Sequence, residues 1–184
     1  MAGQFEPVPG GGATVELDEV EISILRSLAV QLLELVGPGD EPAEGEDPLA
    51  ALFAEGPSEP PSDPALARLF PDAYGEENPE HSAEFRRFTE NDLRTRKRED
   101  ALAMIRTLDA AGASDVTLSA EDSLHWLGAF NDLRLTIGTR LEVSDDEDDR
   151  GLYRLPDDDP RKPMVMAYLW LGALQETLIE TLMP

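Results

Sequence analysis

The stretch WLGAFNDLRLTIGTRL, residues 126–141, carries the strongest helical signal in this sequence. Apolar residues return every three or four positions through it, as they do on one face of an α-helix. Trp126 and Phe130 widen that face, and Ser119 and Asp122 stand where a helix N-terminus is capped. The pattern predicts a long helix with a wide apolar face that also includes Leu124, Leu127, Leu133, Ile137 and Leu141.

Two helical patterns precede this stretch. Asp18 and Glu21 have the spacing of a capping box, and an apolar stripe follows them until Gly37 ends the helix. Asp63 then stands as the cap of a short helix over residues 64–70, with a proline at its first position.

Two more helices are predicted around the central one. Residues 82–111 form either two helices or one kinked helix that ends at Gly112, and residues 163–182 are apolar nearly all round. A short extended segment over residues 13–17 precedes them all. The predicted fold is a mainly all-α bundle of about five helices with a short N-terminal β segment, in one domain over residues 1–184.

Two segments lack a helical or strand pattern. Residues 1–12 are rich in glycine and proline and are predicted to be a flexible arm. Residues 38–64 contain seven prolines, eight acids and no Lys or Arg. Such a composition buries too little apolar surface to offset the entropy lost on ordering, so residues 38–62 are predicted to be a disordered loop.

Charge narrows the possible functions. The chain has 15 Lys and Arg residues against 39 Asp and Glu residues, a formal net charge of −24. This charge repels nucleic-acid phosphates and anionic lipids, so extensive nucleic-acid or membrane contact is not expected. It favours a protein partner with a basic surface; adaptation to high salt is the alternative explanation.

The absence of cysteine also excludes several functions. The 184 residues cannot form a disulfide, a thiolate nucleophile or a thiol redox switch.

The first residues lack the basic and apolar regions of a signal peptide, and no apolar run is long enough to cross a membrane. The expected location is the cytoplasm.

Motifs of enzymes are missing, and we predict no catalytic, metal or cofactor-binding residues. His125 and Asp122, three residues apart, are the candidates for a paired general base. The alternative of another class, a metal-assisted hydrolase, requires a cleft lined by several acids and His125. An acidic loop from Asp146 to Asp157 has the spacing of a calcium-binding EF-hand, but Arg150 occupies a ligand position. A solvated acidic loop is the preferred interpretation.

The candidate partner-binding residues come from three places. A basic cluster at residues 94–98 is either a solvated helix face or a contact for an acidic surface. Polar residues at 131, 132 and 134 interrupt the central apolar helix, where buried charges need partners such as Arg140 or Glu176. The final helix covers the core or joins two copies in a symmetric homodimer. The candidates are Arg94, Arg96, Arg98, Trp126, Asn131, Asp132, Arg134 and Trp170.

Four motifs together resemble a known family: LARLFPDAY at residues 66–74, EFRRFTENDLR at 84–94, the stretch 126–141 quoted above, and YLWLGALQETL at 168–178. They are similar to an actinobacterial domain-of-unknown-function family, DUF2017, which includes an oxidative-stress regulator of actinomycetes.

The resemblance implies a cytoplasmic regulator that acts on transcription by binding a stress-type sigma factor or an RNA polymerase component. In that regulator a cysteine pair is oxidised first; this chain has no cysteine, so the thiol switch does not carry over. An adaptor linked to Clp-type protein turnover is the alternative. The predicted function is therefore a non-enzymatic, protein-binding regulator.

Overall fold

The computed structural model describes residues 3–38, 45, 47, 49, 55–112, 115–143 and 147–183, with residues 147–150 described by their backbone alone. In chain order the elements are β1 (Glu6–Val8), β2 (Gly12–Val15), α1 (Glu19–Val36), α2 (Pro64–Leu69), α3 (Pro79–Ala111), β3 (Val116–Leu118), α4 (Ala120–Arg140), a 3-10 segment (Glu147–Arg154) and α5 (Lys162–Leu182). The predicted fold class, a mainly α-helical bundle with a short β segment near the N-terminus, is confirmed.

The helix boundaries follow from local chemistry. Asp18 caps α1 in a reciprocal capping box with Glu21, as the sequence predicts. Asp63 accepts hydrogen bonds from the first amides of α2, and Ser119 does the same for α4. α3 ends at Gly112, whose φ of 66° suits glycine. α3 is one continuous helix of 33 residues and not two.

α4 is the centre of the bundle, because it packs against all four other helices and against β2 and β3. Trp126 and Phe130 of α4 are fully buried. Around them lie core residues of the other elements: Leu25, Leu32, Met104, Leu108, Val116, Leu171, Leu174 and Leu178. The stretch 126–141 thus fills the middle of the fold.

The prediction of a flexible arm over residues 1–12 is wrong for most of that segment. β1 pairs antiparallel with β2, and β2 pairs antiparallel with β3, in the order β1-β2-β3. Phe5 is only 5% exposed and packs edge-on against Trp126 and Phe130. The burial of this one aromatic ring stabilises an ordered strand that the Gly- and Pro-rich composition conceals.

The predicted disordered loop over residues 38–62 lies mostly outside the described residues. Its described end, residues 55–62, contains no helix or strand, and the Gly56 amide donates a hydrogen bond to the Arg87 carbonyl of α3 at 2.8 Å. Within the described ranges, no helix is both long and apolar enough to cross a membrane.

Candidate protein-binding surface

The basic cluster at residues 94–98 lies mainly against α1 and α4. Arg98 donates a hydrogen bond to the Gly37 carbonyl at 2.6 Å, and Arg94 donates one to the Val36 carbonyl. These carbonyls belong to the C-terminus of α1, whose last turn has no basic residue of its own. Arg94 and Arg98 therefore join α3 to the end of α1 and are not free for a partner.

A buried ionic network lies next to this cluster. Glu90, with a side chain 3% exposed, accepts from Arg86 at 2.7 Å and from Arg94 at 2.8 Å. Arg86 also donates to Asp72 and to the Phe70 carbonyl, both at 2.9 Å. Burial alone lowers the pKa of Arg86, but the bonds to Glu90 and Asp72 outweigh it and raise that pKa. The network fixes the chain after α2 on α3.

Arg96 is the one predicted arginine of the three that points to solvent. It is exposed and has no ion-pair or hydrogen-bond partner within the part of the chain that the structure describes. Asn131, on the next helix, is also exposed. Arg96 and Asn131 are the two of the eight candidate residues that are exposed.

The charged residues that interrupt the apolar pattern of α4 pair with residues other than the predicted ones. Asp132 is buried and binds Lys97 Nζ of α3 at 2.7 Å, not Arg140. Arg140 instead binds Asp63 at 2.8 Å. Burial raises the pKa of Asp132, while Lys97 opposes that shift. Asp132 therefore links α4 to α3 and is unavailable to a partner.

Arg134 joins α4 to α5. Its Nη1 donates to Gln175 Oε1 at 2.8 Å, and its guanidinium lies over the Tyr168 ring at 5.2 Å. Its partner is therefore the neutral Gln175 and not the predicted Glu176. The side chain is half-buried and borders an open pocket with Tyr153.

His125 pairs with Asp100 and not with Asp122, the carboxylate that the sequence spacing indicates. Its Nδ1 lies 2.8 Å from Asp100 Oδ1, while Asp122 binds Ser119 and Arg106. Burial raises the pKa of Asp100, and the hydrogen bond with His125 opposes that shift. Gly128 leaves room for the Asp100 carboxylate beside α4, because a Cβ at this position would lie 2.1 Å from Asp100 Oδ2.

No three His, Asp or Glu side chains are grouped to hold a metal ion within the described ranges. Asp146, where the EF-hand-like loop begins, lies outside those ranges.

The two tryptophans have different environments. Trp126 is 0% exposed, and its indole N–H donates to Thr107 Oγ1 at 2.8 Å. The interpretation of Trp126 as a partner contact is wrong, because the folded bundle encloses the whole ring. Trp170 is half-buried on α5, and its indole N–H has no hydrogen-bond partner among the described residues.

An apolar groove runs between α1 and α5, and we call it the α1–α5 groove. Both helices pack on α4, and Leu133 and Ile137 of α4 form the floor of the groove. Two open pockets of about 740 and 710 Å³ make up the groove, and they share Pro163 and Ala167. Its walls include Ile24, Leu28 and Leu35 of α1 and Met164, Met166, Leu169 and Trp170 of α5.

The apolar walls of the α1–α5 groove are exposed to solvent. Met166 is 56% exposed, Met164 42%, Ile24 41% and Leu169 39%. Contiguous apolar surface of this kind marks an interaction site in soluble proteins.

Acidic side chains border the α1–α5 groove. Glu34 and Glu21 line it from α1. Neither carboxylate has an ion-pair partner among the described residues. Arg140, the cation at the groove, is held by Asp63, whose pKa its hydrogen bond lowers. The rim is therefore negative.

The sequence alone does not locate this groove. The apolar character of residues 163–182 shows that α5 has more apolar surface than one face can bury. It does not show which side the bundle leaves open. Val20, 65% exposed, and Ile24 lie on α1 outside its buried stripe, and that is the signal that could have indicated the second wall.

Comparison with known proteins gives one family and several related regulators. The oxidative stress regulator AosR of Mycobacterium bovis is 30% identical over 177 residues, covering 89% of this chain and 78% of the relative. The protein of the same name from Mycobacterium tuberculosis has the same identity and coverage. No solved structure matches the chain. The family model for the domain of unknown function DUF2017 matches residues 2–182, and the chain therefore belongs to the DUF2017 family.

Proposed function

We propose that this chain is a non-enzymatic regulator of the stress response that acts by binding a protein partner with a basic surface. The observation that carries the proposal is the α1–α5 groove, which presents exposed apolar side chains beside Glu21 and Glu34, two carboxylates without ion-pair partners among the described residues. Apolar surface of this kind suits a protein partner, and a negative rim attracts a positive one. The relatives named as oxidative stress regulators support the regulatory role.

The partner class that fits best is a component of transcription, either a stress-type sigma factor or another part of RNA polymerase. Proteins that bind DNA carry clustered Lys and Arg to neutralise phosphates. A chain with a net charge of −24 meets such a surface favourably and repels bare nucleic acid. The proposal thus includes a cytoplasmic location and no extensive contact of its own with nucleic acid or membrane.

The signal reaches this regulator by a route other than oxidation of its own thiols. The 184 residues contain no cysteine, so no disulfide can form within them. A change in the partner, or in the amount of this protein, is a means of control that needs no thiol.

Affinity capture from an actinobacterial lysate tests the proposal. The tagged chain is cross-linked in the lysate at low and at moderate salt, and the captured proteins are identified by mass spectrometry. We expect a sigma factor or polymerase subunit, recovered less well at the higher salt because screening weakens attraction between opposite charges. The purified pair should then bind directly. Recovery of a Clp component would favour the adaptor function, and recovery of neither class would refute the proposal.

A further inference from the structure

We propose that the α1–α5 groove binds one amphipathic α-helix of the partner, apolar on the face it buries and basic on the other. This inference rests on the proposed function and adds the kind of element that the partner inserts.

The length of the groove matches a helix of about four turns. On α1 the lining positions run from Glu21 to Leu35 in steps of three and four, so they follow one face of the helix. Fourteen residues of α-helix rise about 21 Å. A partner helix of about 14 residues lying along the groove would contact it from end to end.

The walls favour a helix over an extended strand. The backbone groups of α1 and α5 between their ends are bonded within those helices, so the walls offer a strand no ladder of donors and acceptors. A helix satisfies its own backbone and needs only side-chain contacts, as in other helix-in-groove complexes. Met164 and Met166 suit such an occupant, because flexible thioether side chains adapt to an apolar partner.

The charge around the groove favours a basic partner helix over a second copy of this chain. Glu21 and Glu34 line the groove and have no ion-pair partner among the described residues. A symmetric homodimer through the groove would bring these carboxylates of one copy towards those of the other, with −24 on each chain. A helix with Lys or Arg flanking its apolar stripe would pair with them instead.

Peptide titration tests the inference with purified, full-length chain. The probe is a 14-residue peptide of Leu and Lys in helical spacing, without Trp. Trp170 lines the groove and reports binding through its fluorescence, whereas Trp126 is enclosed. We expect a saturable shift of emission to shorter wavelength, weakened by added salt. The shift should be absent in Trp170→Phe, while calorimetry still detects binding.

Two further peptides separate the features of the probe. A Leu/Glu peptide of the same spacing should not bind, because the rim repels it. A Leu/Lys peptide of the same pattern with two central prolines cannot form the helix and should bind at least about tenfold more weakly. Equal binding of either peptide would overturn the inference.

Matched variants locate the site. The double variant Ile24→Ser with Met166→Ser removes two exposed apolar side chains from the groove walls. It should weaken Leu/Lys peptide binding at least about tenfold. Leu124→Ser, also at an exposed residue but outside the groove, should leave binding unchanged. Circular dichroism verifies that all variants fold.

Unchanged binding by the Ile24/Met166 variant would overturn the inference. So would a homodimer in solution that this variant makes monomeric. Lysate capture tests the function separately: a transcription partner recovered by a chain that ignores the peptide would refute only the helix assignment.

Discussion

Glu90 has a side chain 3% exposed, and two arginines of its own helix, Arg86 and Arg94, bind its two oxygens. Arg86 is itself 4% exposed. Removing Glu90 leaves Arg86 and Arg94 charged and largely buried without their shared carboxylate, which costs more than the network contributes. The stability of the α2–α3 region therefore depends on this carboxylate.

Glu90→Ala should lower the free energy of unfolding by about 3–5 kcal/mol. Urea denaturation followed by circular dichroism measures this change. The matched control is Asp109→Ala, which breaks the surface pair with Arg26; both of those side chains are about half exposed, so its loss should stay below about 1 kcal/mol. Equal losses in the two variants would contradict the network interpretation.

The raised pKa of Asp100 leads to a second prediction, which concerns the pH dependence of stability. Burial raises its pKa in the folded protein, although His125 opposes that shift. Between the ordinary Asp pKa of about 3.9 and the raised folded value, the folded state binds more protons than the unfolded state. The Asp100 contribution to stability is therefore greatest below that window and falls as pH rises through it.

Asp100→Asn removes this titration. The comparison is made with His125→Gln in both proteins, so that they differ only in the carboxylate at position 100. The free energy of unfolding of the Asp100→Asn protein, minus that of the protein with Asp100, should rise with pH through the window and then level off. Urea denaturation at a series of acidic pH values measures the difference. A flat or falling difference would show that Asp100 is not destabilised by its surroundings.

The C-terminus of α1 is stabilised from another helix. Its last turn has no basic residue, and Arg94 and Arg98 of α3 donate to its carbonyls instead. Helix C-terminal carbonyls lack partners within their own helix and carry partial negative charge, so cations stabilise them. The three arginines at 94, 96 and 98 thus differ in role although they are close in sequence.

Arg98→Ala should cost about 1.5–3 kcal/mol in the free energy of unfolding, the range for a hydrogen bond to a charged group. It should also increase hydrogen exchange in the last turn of α1. Arg96→Ala, at an exposed arginine, should change stability by less than about 0.5 kcal/mol. Denaturant unfolding and exchange mass spectrometry measure both. Similar effects of the two changes would mean that the cluster is a solvated face after all.

Repulsion among like charges acts on the protein as a whole. Thirty-nine acids against 15 basic residues destabilise the compact state, and dissolved salt screens that repulsion over about 10 Å at 0.1 M. Sodium chloride should therefore raise the melting temperature; each gain of about 1 kcal/mol corresponds to roughly 2–4 °C at this chain length.

Thermal unfolding over a series of sodium chloride concentrations measures the effect. Sulfate is avoided because it stabilises folded proteins by a different mechanism. A melting temperature that stays constant or falls as chloride is added would contradict the dominance of repulsion. Whole-molecule repulsion of this kind also argues against self-association through the α1–α5 groove.

The sequence by itself determined the helices, because their signals are local. Capping at Asp18, Asp63 and Ser119 and the stop at Gly112 depend on residues within one turn, and the apolar stripe of α4 recurs at a helical period. Net charge and the absence of cysteine are likewise properties of composition, and they limited the function before any fold was known.

Only the tertiary structure decided which side chain meets which. Lys97 and Asp132 are 35 residues apart, Arg98 and Gly37 are 61 apart, and Phe5 meets Thr177 across 172 residues. Such contacts depend on how helices cross, which no local pattern encodes. For the same reason Trp126 is enclosed while Trp170, on the more apolar of the two helices, borders a groove: burial is a property of the neighbours that the fold brings to a residue.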